Sequence, residues 1–164
     1  MTVLRSAFLG LVLAAAATPA LAAGKCDAVT FSDPGWTDIS ATTGVTTVLL
    51  ESLGYKTDVK MLALPVTFSS LANGQLDAFL GLWMPSMEAD LKPYLEPKTI
   101  DRLRVNLTGA KYTLATNAAG AKLGIKDFGD IAANKGALGG AIYGIEPGND
   151  GNRLLLGMIE EGKF

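Results

Sequence analysis

Three short runs rich in β-branched and apolar residues, "AVTFSD", "KTDVKMLAL" and "QLDAFLGLW", are separated by stretches with helical spacing. That alternation constrains the fold more than any other feature. The first run reads as a strand from Ala28 to Ser32 and ends at Asp33-Pro34-Gly35, a strong turn signal. In "TDISATTGVTTVLLESLGY" the apolar residues Ile39, Val45, Val48, Leu49 and Leu53 recur at helical spacing, and Gly54 stands as the terminator. The second run alternates polar and apolar residues from Lys56 to Leu64, after which Pro65 opens a helix, "PVTFSSLANG", closed by Asn73-Gly74. The third strand is expected from Leu76 to Leu82. A short helix in "MPSMEADLKPYLE" is interrupted by Pro93, and "KTIDRLRVN" is helical or irregular. Further on, the pattern predicts a strand from Ala110 to Asn117, a helix in "IKDFGDIAANKGALGG", a strand in "AIYGIEP" and a helix beginning at "NDGNRLLL". Strands and helices in strict succession imply an α/β fold with a largely parallel sheet.

Residues 1–22 differ from the rest: a lone Arg5, the apolar run "AFLGLVLAAAATPALA" and the small-residue site Ala20-Leu21-Ala22 read as a secretory signal peptide cleaved after Ala22. The run is too short and alanine-rich for a membrane span. The formal charge is −2, from 14 Lys and Arg against 16 Asp and Glu, and loss of the leader removes Arg5 but no acid. An acidic chain without basic clusters does not suit nucleic acid. No histidine occurs anywhere, which excludes Ser-His-Asp and Cys-His catalysis and His-based zinc sites. The single Cys26 cannot build a cysteine metal site; a disulfide partner outside this chain and a free thiol both remain open. A lipid anchor would need the cysteine at the cleavage site, where "AAGKC" places other residues. Neither GxGxxG after a strand nor GxxxxGK occurs, so no nucleotide or other cofactor is expected.

In open α/β sheets, ligands bind beyond the carboxyl ends of the strands. Both tryptophans fall there: Trp36 after the first strand and Trp83 after the third, with Asp38 two residues beyond Trp36 and Asn149 after the last strand. Tryptophan gives the best aromatic face for a cation, at about 0.5–2 kcal/mol per contact. Several such faces suit a quaternary ammonium, which has no N–H to donate; Asp38 would balance its charge, and Asn149 would bind a polar tail. Each residue also has a plainer role open to it. Either tryptophan can be a packing residue, Asp38 can cap the following helix, Asn149 and Asp150 can cap the last one, and Tyr112 can be an ordinary strand aromatic.

The stretches "FSDPGWTDISATT", "LGLWMPSMEADLKPY", "NLTGAKYTLATN" and "IYGIEPGNDGNRLLL" together resemble the periplasmic choline-binding proteins of ABC importers, within the glycine betaine and choline binding group. The likeness runs from about Cys26 to Phe164. It implies a type II periplasmic binding protein fold, α/β with two lobes and mainly parallel sheets, closing on its ligand by a hinge. The expected division is 1–22 signal peptide, 23–113 first lobe and 114–164 the start of a second lobe that is incomplete. The resemblance implies Trp36, Trp83 and Tyr112 as three walls of an aromatic cage, Asp38 against the quaternary ammonium and Asn149 on the choline hydroxyl. The family's fourth wall, a tryptophan in the second lobe, has no counterpart after Trp83, and the late cysteine that would pair with Cys26 is also absent. The chain is therefore similar to the N-terminal half of such a protein.

The expected function is capture of choline or a related quaternary ammonium in the periplasm and delivery to an importer's permease and ATPase, as a monomer and without catalysis. A betaine-binding protein is the main alternative, with the carboxylate held at the start of the "GNDGNR" helix. Choline is favoured because Asp38 would attract a net cation and repel a carboxylate. A secreted hydrolase would need two converging carboxylates, for which Asp38 and Glu146 are the only pair to nominate. An inert fragment is the remaining reading.

Overall fold

The computed structural model describes residues 27–163. The expected signal peptide and Cys26 lie outside the described residues. Strand β1, Ala28–Asp33, is the centre of a three-stranded sheet, with β2, Lys56–Met61, on one side and β3, Ala78–Phe79, on the other. Both pairings are parallel: Phe31 lies opposite Val59 and Ala78, and Ser32 opposite Lys60 and Phe79. The order β2-β1-β3 requires a helical crossover on each return, supplied by α1, Thr37–Ser52, and α2, Leu64–Ala72. The expected parallel α/β architecture is thus present.

Strand β1 turns from exposed at Ala28 to buried at Phe31, Ser32 and Asp33. Its buried polar atoms are paired: Ser32 Oγ meets Thr67 Oγ1 at 2.5 Å, and Asp33 Oδ1 accepts from the Gly35 backbone N–H at 2.7 Å. Gly35 has φ +86°, and a Cβ there would stand 2.9 Å from Met61 Cε, so this turn requires glycine. Trp36 follows as the N-cap residue of α1, without a side-chain cap. Asp38 is consequently not the cap but a first-turn acid, favoured there by the helix dipole.

The threonines of α1 return their hydroxyls to the helix backbone, Thr42 to Asp38 O and Thr46 to Thr42 O, both at 2.8 Å. Ile39 and Thr43 are its buried residues. Val45, Val48, Leu49 and Leu53, whose spacing predicted the helix, are exposed. Helix α2 begins at Leu64, with Pro65 in its first turn, and ends at Asn73 before Gly74. The principal core is Leu64 and Phe68 of α2 with Met87 and Leu91, and Trp36, Phe79, Leu82, Trp83, Tyr94 and Ile100 pack against it. Each fully buried aliphatic or aromatic side chain here contributes roughly 1.5–3 kcal/mol.

Several elements differ from expectation. The third strand is two residues long, because Asp77 substitutes for a ladder neighbour: its carboxylate accepts from Thr30 N–H at 2.8 Å while its own N–H donates to Thr30 O at 2.9 Å. Leu80 to Trp83 then leave the sheet. Helix α3, Glu88–Leu95, runs through Pro93 instead of stopping there. Burial of Leu91 and packing against α2 outweigh the one N–H that proline lacks. The stretch after it, 98–109, is irregular. The strands expected at 110–117 and in "AIYGIEP" do not form, since neither segment has a neighbouring strand among the described residues, and ladder bonds need two partners. The helix expected from 125 to 140 shrinks to α5, Gly129–Ala133, preceded by α4, Ala118–Lys122. Helix α6, Asp150–Glu160, forms where it was expected. No helix among the described residues is long and apolar enough to cross a membrane.

Candidate functional site

The sheet sets the site's position. β1 delivers Trp36 through the Asp33-Pro34-Gly35 turn, and the chain leaving β3 delivers Trp83. Both indoles rest half-buried on the Leu64, Phe68, Met87 and Leu91 core, which fixes them from behind. The Trp83 backbone N–H also lies 3.3 Å from Met87 Sδ. Two aromatic faces are thereby held at strand carboxyl ends without being sealed in the core.

The later half of the chain brings the polar groups. Tyr112 meets Trp83 with ring centroids 5.6 Å apart and planes inclined at 49°. The Tyr112 hydroxyl donates to Asn149 Oδ1 at 2.9 Å, and the Gly151 backbone N–H donates to the same oxygen at 2.8 Å. Asn149 is therefore the side-chain N-cap of α6, as its simplest reading required, and a partner of Tyr112 as well. Its Nδ2 donates to Glu146 Oε1 at 2.9 Å, and the Trp36 indole N–H reaches that oxygen at 3.1 Å. A continuous chain of contacts thus runs Trp83, Tyr112, Asn149, Glu146, Trp36.

Asp38 stands outside this chain of contacts. It is exposed on the first turn of α1 and shares with Trp83 a cleft of about 410 Å³, whose other walls include Ile39, Leu82, Asn106 and Leu107. Asn106 ties the far wall down by donating from Nδ2 to Leu80 O at 2.9 Å. Of the five expected residues, Trp83, Tyr112 and Asn149 are joined by direct contacts, Trp36 joins them through Glu146, and Asp38 lines a cleft with Trp83.

Negative charge gathers here. Asp150, 1% exposed, has both carboxylate oxygens unpaired among the described residues. Burial pushes the Tyr112 hydroxyl above its ordinary range, the Asp150 and Glu146 carboxylates add to that push, and the Gly151 hydrogen bond opposes it. Tyr112 stays a neutral donor at physiological pH. No group of three or more His, Cys, Asp or Glu among the described residues is arranged to hold a metal ion.

Two contributors escaped the sequence reading. Glu146 was considered only as an acid–base partner for Asp38, although it lies three residues before Asn149 in "GIEPGND"; the structure turns it toward Trp36 and Asn149 instead. Gly151 left no signal beyond its glycine: a Cβ there would collide with Tyr112 Oη and stand 3.0 Å from its Cζ.

A parallel α/β unit with Trp36 and Trp83 beyond the carboxyl ends of its strands has the layout in which open α/β sheets bind small solutes. The chain belongs to the OpuAC family, the substrate binding domain of ABC-type glycine betaine transport systems, which matches residues 27–164. It is 42% identical over 132 residues to a protein of Chromohalobacter salexigens named "Uncharacterized protein ORF1", covering 80% of this chain and 85% of that one. Among solved structures it is similar to an ABC-transporter choline binding protein in complex with choline, at 65% identity and a TM-score of 0.79 over 84% of this chain. It is also similar to an ABC-transporter choline binding protein in an unliganded semi-closed conformation, at 65% identity and a TM-score of 0.73 over 83% of this chain. The chain spans 47% of each of those two, about half their length.

Proposed function

We propose that this chain is the choline-capturing part of a periplasmic solute-binding protein, which passes its ligand unchanged to an ABC importer's permease and ATPase. One observation carries the reading: Trp36 and Trp83 follow strands β1 and β3 and pack on one core, Tyr112 meets Trp83, and Asp38 lines a cleft with Trp83. Aromatic faces attract a cation through their quadrupole, and a quaternary ammonium satisfies them without needing hydrogen bonds. Asp38 supplies the counter-charge from the cleft it shares with Trp83, and the free amide hydrogen of Asn149 serves the ligand's polar end. Similarity to a protein solved with choline supports the same ligand class.

The wider reading follows from this one. Residues 23–113 form a first lobe and 114–164 the start of a second, the leader at 1–22 directs export, and the protein acts as a monomer that binds without catalysis. Binding of glycine betaine is the second reading, favoured by the transport system that gives the family its description. Calorimetric titration of the chain with choline, glycine betaine and 3,3-dimethylbutanol, the neutral carbon isostere of choline, separates them. Choline is expected to bind more tightly than either. A tighter grip on betaine would replace the choline reading, and equal affinity for the neutral isostere would remove the cation from the argument.

A further inference from the structure

Glu146 has no role in the ligand cage described above, yet its Oε1 joins Trp36 to Asn149. The Trp36 indole and the Asn149 amide donate to that single oxygen at 3.1 and 2.9 Å, although Trp36 and Glu146 are 110 residues apart in sequence. Resting on the proposed function, we infer that Glu146 is the positioning residue of the site, fixing the tilt of the Trp36 face and the orientation of the Asn149 amide together.

The donor and acceptor inventory makes the arrangement unambiguous. An indole N–H and a backbone N–H only donate, and a carboxylate only accepts. The Gly151 N–H therefore demands the Oδ1 end of Asn149, and Glu146 demands the Nδ2 end. A flipped amide would set donor against donor at Gly151 and acceptor against acceptor at Glu146. With Oδ1 already receiving Gly151 and Tyr112, and one Nδ2 hydrogen committed to Glu146, Asn149 offers a ligand only its other amide hydrogen. Asn149 is 3% exposed, so an unpaired amide here is not rescued by bulk water. Without Glu146, Trp36 keeps its packing against the core but loses the hydrogen bond that sets its ring plane, and Asn149 loses the one acceptor that holds its Nδ2 end.

Glu146→Ala and Glu146→Gln separate position from charge, because a glutamine carbonyl can accept from both N–H groups. In ¹⁵N-indole-labelled chain, the Trp36 indole proton, assigned through Trp36→Phe, is expected to be exchange-protected in the wild type and in Glu146→Gln, and to exchange at least tenfold faster in Glu146→Ala. Choline affinity is expected to fall at least tenfold in Glu146→Ala and to stay within threefold in Glu146→Gln. Circular dichroism of each variant establishes that the fold is kept. Unchanged Trp36 protection or unchanged choline affinity in a folded Glu146→Ala chain overturns the inference, as does a Glu146→Gln chain that behaves like Glu146→Ala. Absence of choline binding in the wild type would refute the proposed function, while the indole readout, which needs no ligand, would still decide the placement of Trp36.

Discussion

Gly151→Ala is expected to leave the protein folded while it impairs the site. Position 151 lies in the first turn of α6, and its φ is not in the left-handed region, so alanine meets no backbone strain there. Helix propensity alone would raise stability, by up to about 1 kcal/mol in a helix interior. Its Cβ, however, would collide with Tyr112 Oη and press on Cζ, so the phenol must swing away. That motion breaks the Tyr112 to Asn149 hydrogen bond and withdraws one aromatic face from the ligand. The withdrawn aromatic face is worth about 0.5–2 kcal/mol, a roughly 2- to 30-fold drop in choline affinity, while the broken intramolecular hydrogen bond costs stability by about 1 kcal/mol. Gly157→Ala is the internal control: it sits in the same helix, and a Cβ there meets nothing within 4 Å, so it should add helix stability and leave binding alone. Thermal unfolding and calorimetric titration of both variants give the two axes. A Gly151→Ala chain that binds choline like Gly157→Ala would refute the claim that Tyr112 is a wall held in place through this contact.

Asp38→Asn should weaken choline binding about fivefold, as expected for roughly 1 kcal/mol from an exposed charge, and should flatten the salt dependence of binding, visible in titrations at low and high ionic strength. Leu91→Ala removes a side chain 1% exposed from beneath the tryptophans and should cost about 2–5 kcal/mol in urea unfolding. The Tyr112 hydroxyl is held above its ordinary value, so its contribution to stability is complete below that value, about 10, and is lost as pH rises through the higher folded one. Alkaline absorbance titration of wild type against Tyr112→Phe should therefore assign Tyr112 a late component; ionisation at or below the ordinary value would contradict the burial argument.

The first half of the fold was legible because its signals are local. Proline and glycine mark the ends of β1, α1 and α2, and the structure places those ends within a residue or two of the marks. The segments at 110–117 and 141–147 carry strand-like composition too, but a strand is a pairing and not a property of one segment. Pro93 misled for the opposite reason, since the packing of Leu91 settled the helix. Trp36 and Trp83 stood out in the sequence through their position after strands, and the structure places them there. What could not be read was the closure of the network: nothing in "GIEPGND" announces that Glu146 reaches back to Trp36, because that contact depends on how two distant segments dock.

The sheet carries a further consequence in how it meets other chains. Both outer strands are edges among the described residues, and an edge displays unpaired N–H and C=O groups on which foreign strands can be templated. β3 pairs through only two residues, too few to offer a long template. β2 is long enough, but Lys56, Asp58 and Lys60 alternate along it, the last two in a solvent-exposed ion pair at 2.6 Å. An incoming strand would have to settle beside alternating charges, so the longer of the two edges is guarded against self-association by its own side chains.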